Sequence, residues 1–157
     1  MSLSIVPLQK GDIYDKVNIA VLNCMDTQKQ QNTKKILVVE DEKYLRELYV
    51  EILQEQGYEI HQATDGQEAY TAMLNGGYDL VLLDIMLPKM DGLKILEKLK
   101  NETPPQKPNN VIVILSNLGQ DSVIAQCLAL GARGTMIKSD YTPNQIVETI
   151  KRYLSSG

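Results

Sequence analysis

The chain has no tryptophan and no phenylalanine, so its aromatic packing rests on eight tyrosines. Its two cysteines, Cys24 and Cys127, lie far apart and form no Cys-x-x-Cys pair, and His61 is the single histidine. No sulfur and nitrogen cluster is therefore available for zinc. Cys127 reads as a small hydrophobe on a helix, and His61 as a structural strand residue. No apolar run approaches the roughly 18 residues of a membrane span, and the N-terminus lacks the basic-then-apolar order of a secretory signal. The expected location is cytoplasmic. An excess of positive charge is missing too: the net charge is −4 and the sequence pI about 5.0. That removes the general attraction to phosphate backbones on which nucleic-acid binding depends, so no direct contact with DNA or RNA is expected.

What is present is ordinary for a folded domain. With 157 residues, 43% of them hydrophobic and 23% charged, the chain can build one full core and an appendage but not two ordinary domains. From Lys35 onward, short apolar runs alternate with amphipathic stretches, which is the mark of βαβ units and a parallel sheet. Strands are predicted at 35–40, 59–63, 79–84, 111–115 and 133–137. The runs ILVV, LVLL and VIVIL are continuously apolar and rich in β-branched residues, as in strands covered by helices on both faces. The second and fifth are shorter and more polar, which suits sheet edges. The fold class is α/β, a three-layer (βα)5 doubly wound sandwich.

Between the strands, the first helix carries Leu45, Leu48, Tyr49, Ile52 and Leu53 on one stripe and stops before Gly57. The second is predicted to open with Thr64 and Gln67 at capping-box spacing and to end at 75–77. The third follows Asp91 and dissolves in the proline-containing loop 103–108. The fourth covers roughly 120–130 and is closed by Gly131. The fifth begins at Thr142, with Pro143 at the first helical position and Gln145 completing a capping box. Residues 34–157 form this unit. Residues 1–33 are expected to be an N-terminal extension: Ile13, Val17, Val21 and Cys24 are spaced for a short helix, a polar linker follows, and Met1 to Leu3 read as vector-derived.

In an open α/β sheet, ligands bind outside the carboxyl ends of the strands. There the first strand runs into Glu40, Asp41 and Glu42, the third ends in Asp84, the fourth in Ser116 and the fifth in Lys138. A strand order of 2-1-3-4-5 brings these side chains together. Three adjacent carboxylates repel unless a cation sits among them, and an all-oxygen donor set favours Mg²⁺ or Mn²⁺ over zinc. Asp84 is then placed to form an acyl phosphate as nucleophile, Glu40 and Asp41 to hold the metal, Ser116 to donate a hydrogen bond to a phosphoryl oxygen, and Lys138 to add a compact cation. Any one of these alone has a plainer reading. Asp41 can cap a helix, Ser116 can be a turn hydroxyl and Lys138 a solvated charge. Their joint occurrence on four strand ends is what favours chemistry.

The segments VVEDE, LVLLDIMLPKMDG, ILSN and MIKSD resemble the response-regulator receiver domain over about residues 34–154, with Pro88 and Gly92 four and eight positions beyond Asp84. The resemblance implies a domain that takes a phosphoryl group onto Asp84 from a histidine kinase or a histidine phosphotransfer protein. It would act on its own side chain rather than turn over an external substrate. It also implies that the backbone carbonyl of Met86 joins Glu40, Asp41 and Asp84 around Mg²⁺, that Ser116 is the switch hydroxyl, and that Lys138 is the basic site residue. Output would pass through the face made by the fourth helix, fifth strand and fifth helix, to a downstream protein or a second copy.

Three positions depart from the family pattern. Thr135 stands where many members have Tyr or Phe, so the switch is expected to work without a rotating aromatic. Ser139 stands where a cis proline is common. A cis bond before a non-proline residue costs about 2.5–4 kcal/mol, so the expectation is a trans bond, or a cis bond held by the site. Asn117 replaces a small residue and is expected to narrow access for small phosphodonors. Met86 and Leu118, two positions beyond Asp84 and Ser116, cannot orient a hydrolytic water, and a long-lived phosphoryl group is expected.

Competing readings are weaker. A haloacid-dehalogenase-like phosphatase needs a second Asp at position 86, and a nucleotide-binding enzyme needs a glycine-rich loop where this chain has EDEKY. The remaining rivals are a docking module of the same fold that is not phosphorylated, and a receiver fragment of a longer regulator or hybrid kinase. With no output domain after the last helix, the chain is expected to bind partners, pass phosphate on, or be such a fragment.

Overall fold

A computed structural model describes residues 33–117 and 119–156. The segment 1–32 and Leu118 lie outside it, and with them the short N-terminal helix expected around Ile13 to Cys24. Among the described residues, five strands alternate with five helices: β1 (Lys35–Val39), α1 (Lys43–Gln54), β2 (Glu59–Ala63), α2 (Gly66–Asn75), β3 (Leu80–Asp84), α3 (Gly92–Asn101), β4 (Val111–Ser116), α4 (Asp121–Ala129), β5 (Gly134–Ile137) and α5 (Pro143–Ser155). A 3₁₀ turn, Lys138–Asp140, joins β5 to α5.

The sheet order is β2-β1-β3-β4-β5, and every pairing is parallel. Side-chain alternation explains why the inner strands are apolar throughout. Leu37, Val39, Val81, Leu83 and Ile114 face one layer, packed on Met73 of α2, Ile95 of α3 and Cys127 of α4. Ile36, Val38, Leu82, Val113 and Leu115 face the other, packed on Tyr49 and Leu53 of α1 and Ile146 and Ile150 of α5. Cys127 is a buried packing residue, as its sequence context indicates. His61 lies on the edge strand β2, where its ring lies 2.9 Å from Glu59 and 3.2 Å from the Tyr78 hydroxyl.

Helix ends follow local chemistry, with one correction. The Thr142 hydroxyl and the Gln145 side chain form the expected capping box around Pro143. The second helix, however, is not capped by Thr64. Asp65 is the cap, its Oδ1 accepting from the backbone of Gln67 and Glu68 at 2.8 and 2.9 Å. Thr64 instead donates its backbone N–H and its hydroxyl to Glu68. A carboxylate outcompetes a neutral hydroxyl for two N–H groups at the positive end of a helix. The first helix is capped by Glu42 rather than by Asp41, which leaves Asp41 uncommitted.

Parallel register decides what meets at the carboxyl edge. Val39 pairs with Leu83, Asp84 with Leu115, and Ser116 with Ile137. Glu40, Asp84, Ser116 and Lys138 therefore emerge at one level of the sheet. Gly92 helps seat this edge: a Cβ there would stand 2.5 Å from the carbonyl oxygen of Asp84. Gly92→Ala is expected to push strand or helix backbone aside and cost about 1–3 kcal/mol, which urea denaturation of the two proteins measures.

Candidate functional site

Each strand supplies its side chain at the point where it leaves the sheet. Glu40 follows β1, and its amide still donates to the carbonyl of Ala63 at 3.2 Å. Asp84 is the last residue of β3. Both carboxylates are buried, Glu40 fully and Asp84 at 2% exposure. Lys138, just past β5, reaches across to both: its Nζ is 2.7 Å from Asp84 Oδ2 and 2.6 Å from Glu40 Oε2. The other oxygen of Asp84 accepts the backbone N–H of Met86 at 3.0 Å. The Asp84 carboxylate is thus held at both oxygens.

Asp41 is exposed, yet carboxylate oxygens of Glu40, Asp41 and Asp84 all lie within 4.8 Å of one another. One ammonium faces three carboxylates there. The electrostatics reflect the imbalance. Burial raises the Glu40 pKa above the ordinary carboxylate range, despite the lowering pull of Lys138. Burial alone would lower Lys138, but its bonds to Asp84 and Glu40 outweigh that, and it is held above the ordinary lysine value. The buried hydroxyl of Tyr49 is pushed up by burial and then by the negative charge of Glu40, Asp84 and Glu42.

An open depression of about 550 Å³ borders this cluster, lined by Asp41, Asp84, Met86, Asn117, Lys138 and Ser139 among others. Converging hard oxygen donors, residual negative charge and access from solvent together fit a divalent cation such as Mg²⁺. Met86 lines the depression with its side chain 61% exposed. Asn117 also lines it, where the sequence placed a constriction.

Ser116 is at the right strand end but turned away. It is fully buried, and its hydroxyl lies 3.5 Å from that of Thr135, at the long limit of a hydrogen bond. The peptide bond after Lys138 is trans, since there is no cis bond among the described residues. One contributor escaped the sequence reading. Arg46, the fourth residue of α1, donates from Nη1 to the carbonyls of Glu40 and Asp41 at 2.9 and 3.2 Å, tying down the acidic loop. Its position six residues after Glu40 was legible, but nothing in the spacing says that an arginine there turns back on the strand.

Comparison with known proteins places this geometry. The family model for the response regulator receiver domain matches residues 36–151. The transcriptional regulatory protein SrrA of Staphylococcus aureus is 34% identical over 122 residues, which cover 78% of this chain and 48% of SrrA. The chain thus spans about half the length of that relative. Among solved structures, a CheY-like response regulator receiver domain protein from Methanospirillum hungatei JF-1 superposes with a TM-score of 0.69 at 28% identity, covering 79% of this chain and 95% of that one. The receiver domain of NtrX from Brucella abortus gives 0.65 at 29% identity, covering 78% and 99%.

Proposed function

The chain belongs to the response regulator receiver-domain family, and from that premise we propose that residues 34–157 are a phosphoacceptor unit whose acceptor is Asp84. The observation that carries this reading is the carboxylate of Asp84 held between Lys138 Nζ and the Met86 amide, at the floor of a solvent-open acidic depression. In the reaction, a carboxylate oxygen of Asp84 attacks the phosphorus of a phosphohistidine on a kinase or phosphotransfer protein. The P–N bond breaks, its electron pair stays on the imidazole, and an acyl phosphate forms on Asp84.

Glu40, Asp41, Asp84 and the backbone carbonyl of Met86 would hold Mg²⁺, or Mn²⁺ in its place. The ion supplies positive charge against the phosphoryl oxygens. Lys138 moves its ammonium from the carboxylate to the incoming phosphoryl group with little displacement, because it already sits 2.7 Å from Asp84. Ser116 must turn from Thr135 toward the phosphoryl group to donate to it. Thr135 is too small to follow as an aromatic would, so the change reaches the α4-β5-α5 face through the loss of the Ser116–Thr135 contact. With Met86 unable to orient a water, the acyl phosphate is long-lived. The natural donor is a histidine kinase or histidine phosphotransfer protein in the cytoplasm, and the output is contact with a downstream protein or a second copy.

Incubation with Mg²⁺ and acetyl phosphate followed by intact mass tests the reading. The expected result is a gain of one phosphoryl group, removed by hydroxylamine, which cleaves acyl phosphates. Mass unchanged at saturating donor and metal favours the rival reading, a docking module of the same fold that is not phosphorylated. SrrA is named a transcriptional regulatory protein and the match covers 48% of it, so a receiver portion of a longer regulator is a second form of the same proposal.

A further inference from the structure

The acceptor loop between β3 and α3 is fastened at its base by the Gly92 amide, which donates to the carbonyl of Ile85 at 2.9 Å. Its outer half reaches over to the start of α2. There the Gly66 amide donates to the carbonyl of Pro88 at 3.0 Å, and the two backbones touch so closely that a Cβ on Gly66 would stand 1.6 Å from the carbonyl oxygen of Met90. Beside this contact Lys89 Nζ pairs with Asp65 Oδ2 at 2.5 Å. Asp65 is buried, at 5% exposure, and its other oxygen is committed to capping α2.

Lys89 holds this position in a backbone conformation that lysine rarely adopts. Its φ is 66°, the one positive value at a non-glycine residue among those described. Glycine would take that conformation without steric cost but has no ammonium to offer a buried carboxylate, which costs stability when left unpaired. The pairing also joins loop to helix within three residues of Met86, whose amide orients Asp84.

We infer that Lys89 and Asp65 form a latch that holds the acceptor loop, residues 85–91, in the position needed for divalent-cation and phosphoryl binding at Asp84. Lys89 is thus a positioning residue for a site it does not touch. The inference rests on the acceptor reading above and adds to it a support outside the site residues named there. An exposed lysine pairing with a helix cap, and nothing more, would leave metal affinity unchanged. A latch would not.

The test uses the full chain with three substitutions. Lys89→Gly suits the backbone and removes the ammonium, Asp65→Asn keeps a capping side chain and removes the charge, and Lys89→Arg keeps the pair. Titration with Mg²⁺ alone gives the dissociation constant, and amide hydrogen exchange at Gly66 and Met90 reads the loop itself. Lys89→Gly and Asp65→Asn are each expected to weaken Mg²⁺ by about tenfold, the low end of what loss of a group supporting metal ligands costs. The double variant is expected to be no worse than either single one, exchange at Gly66 and Met90 to rise, and Lys89→Arg to stay near the parent. Mg²⁺ affinity and exchange both within about twofold of the parent in Lys89→Gly overturn the latch, and if Asp65→Asn does not fold, the two Lys89 variants decide. A parent that takes up neither Mg²⁺ nor phosphoryl overturns the acceptor reading itself, and the latch with it.

Discussion

Asp84→Asn is expected to leave the protein folded and to abolish phosphoryl uptake, lowering the rate from acetyl phosphate by at least about a hundredfold, or about 2.7 kcal/mol in barrier height. Asparagine is nearly isosteric with aspartate, so its side-chain oxygen can still receive the Met86 amide, the bond that Asp84 Oδ1 accepts at 3.0 Å. What is lost is an anionic oxygen able to form the acyl phosphate. Asp41 provides the matched control. Its carboxylate is exposed and within reach of the same ion position, so Asp41→Asn should weaken Mg²⁺ binding and raise the metal concentration required, while leaving uptake measurable at high metal. Intact mass of the three proteins after identical treatment separates the outcomes. Equal phosphoryl uptake by parent and Asp84→Asn would move the acceptor to another residue.

Most of the architecture was legible because its signals are local and repeated. The runs ILVV, LVLL and VIVIL became β1, β3 and β4, and the stripe residues Tyr49 and Leu53 of α1, Leu96 and Leu99 of α3, and Ile146 and Ile150 of α5 are buried in the core. The strand order brought Glu40, Asp84 and Lys138 together, which needed only parallel register and the rule that parallel strands end at one edge. The errors came where two residues compete for one role. In Thr64-Asp65-Gly66-Gln67-Glu68, both Thr64 with Gln67 and Asp65 with Glu68 have capping-box spacing. Charge decided for Asp65, and weighing a carboxylate above a hydroxyl would have found it.

Ser116 shows a different limit. Its position at the end of β4 followed from the pattern, but the direction of its hydroxyl depends on Thr135, which lies on the neighbouring strand beside Ile114. No periodicity within β4 encodes that. The Arg46 and Lys89 contacts were hidden for the same reason: each joins a helix or loop residue to a backbone or carboxylate brought close by the tertiary fold.

Lys138→Ala tests how far the fold itself depends on the site. Lys138 is the cation in direct contact with two buried carboxylates, Glu40 and Asp84. Removing one partner of a buried ionic cluster leaves uncompensated charge and typically costs about 3–5 kcal/mol. A loss near the lower end, about 3 kcal/mol at neutral pH without metal, is expected here because the depression admits water. The pH dependence has a definite sign. Glu40 is already held above the ordinary carboxylate range by burial, with Lys138 pulling it back down. Without Lys138 that restraint is gone, and the folded-state pKa rises further above the unfolded value. A carboxyl group raised in this way binds its proton more tightly in the fold, so its ionisation removes stability as pH rises. Lys138→Ala should therefore regain stability as the pH is lowered from about 7.5 to about 5.5, a window just above the unfolded carboxylate range. Mg²⁺ should act in the same direction at neutral pH. An ion that binds only the folded protein adds about 2.7 kcal/mol at a hundred times its dissociation constant, enough to offset most of the loss. Urea denaturation of parent and variant at the two pH values, with and without Mg²⁺, measures all three effects. If Lys138→Ala is as stable as the parent under metal-free neutral conditions, the carboxylates are compensated by solvent, and the strained acidic cluster drawn from the geometry is wrong.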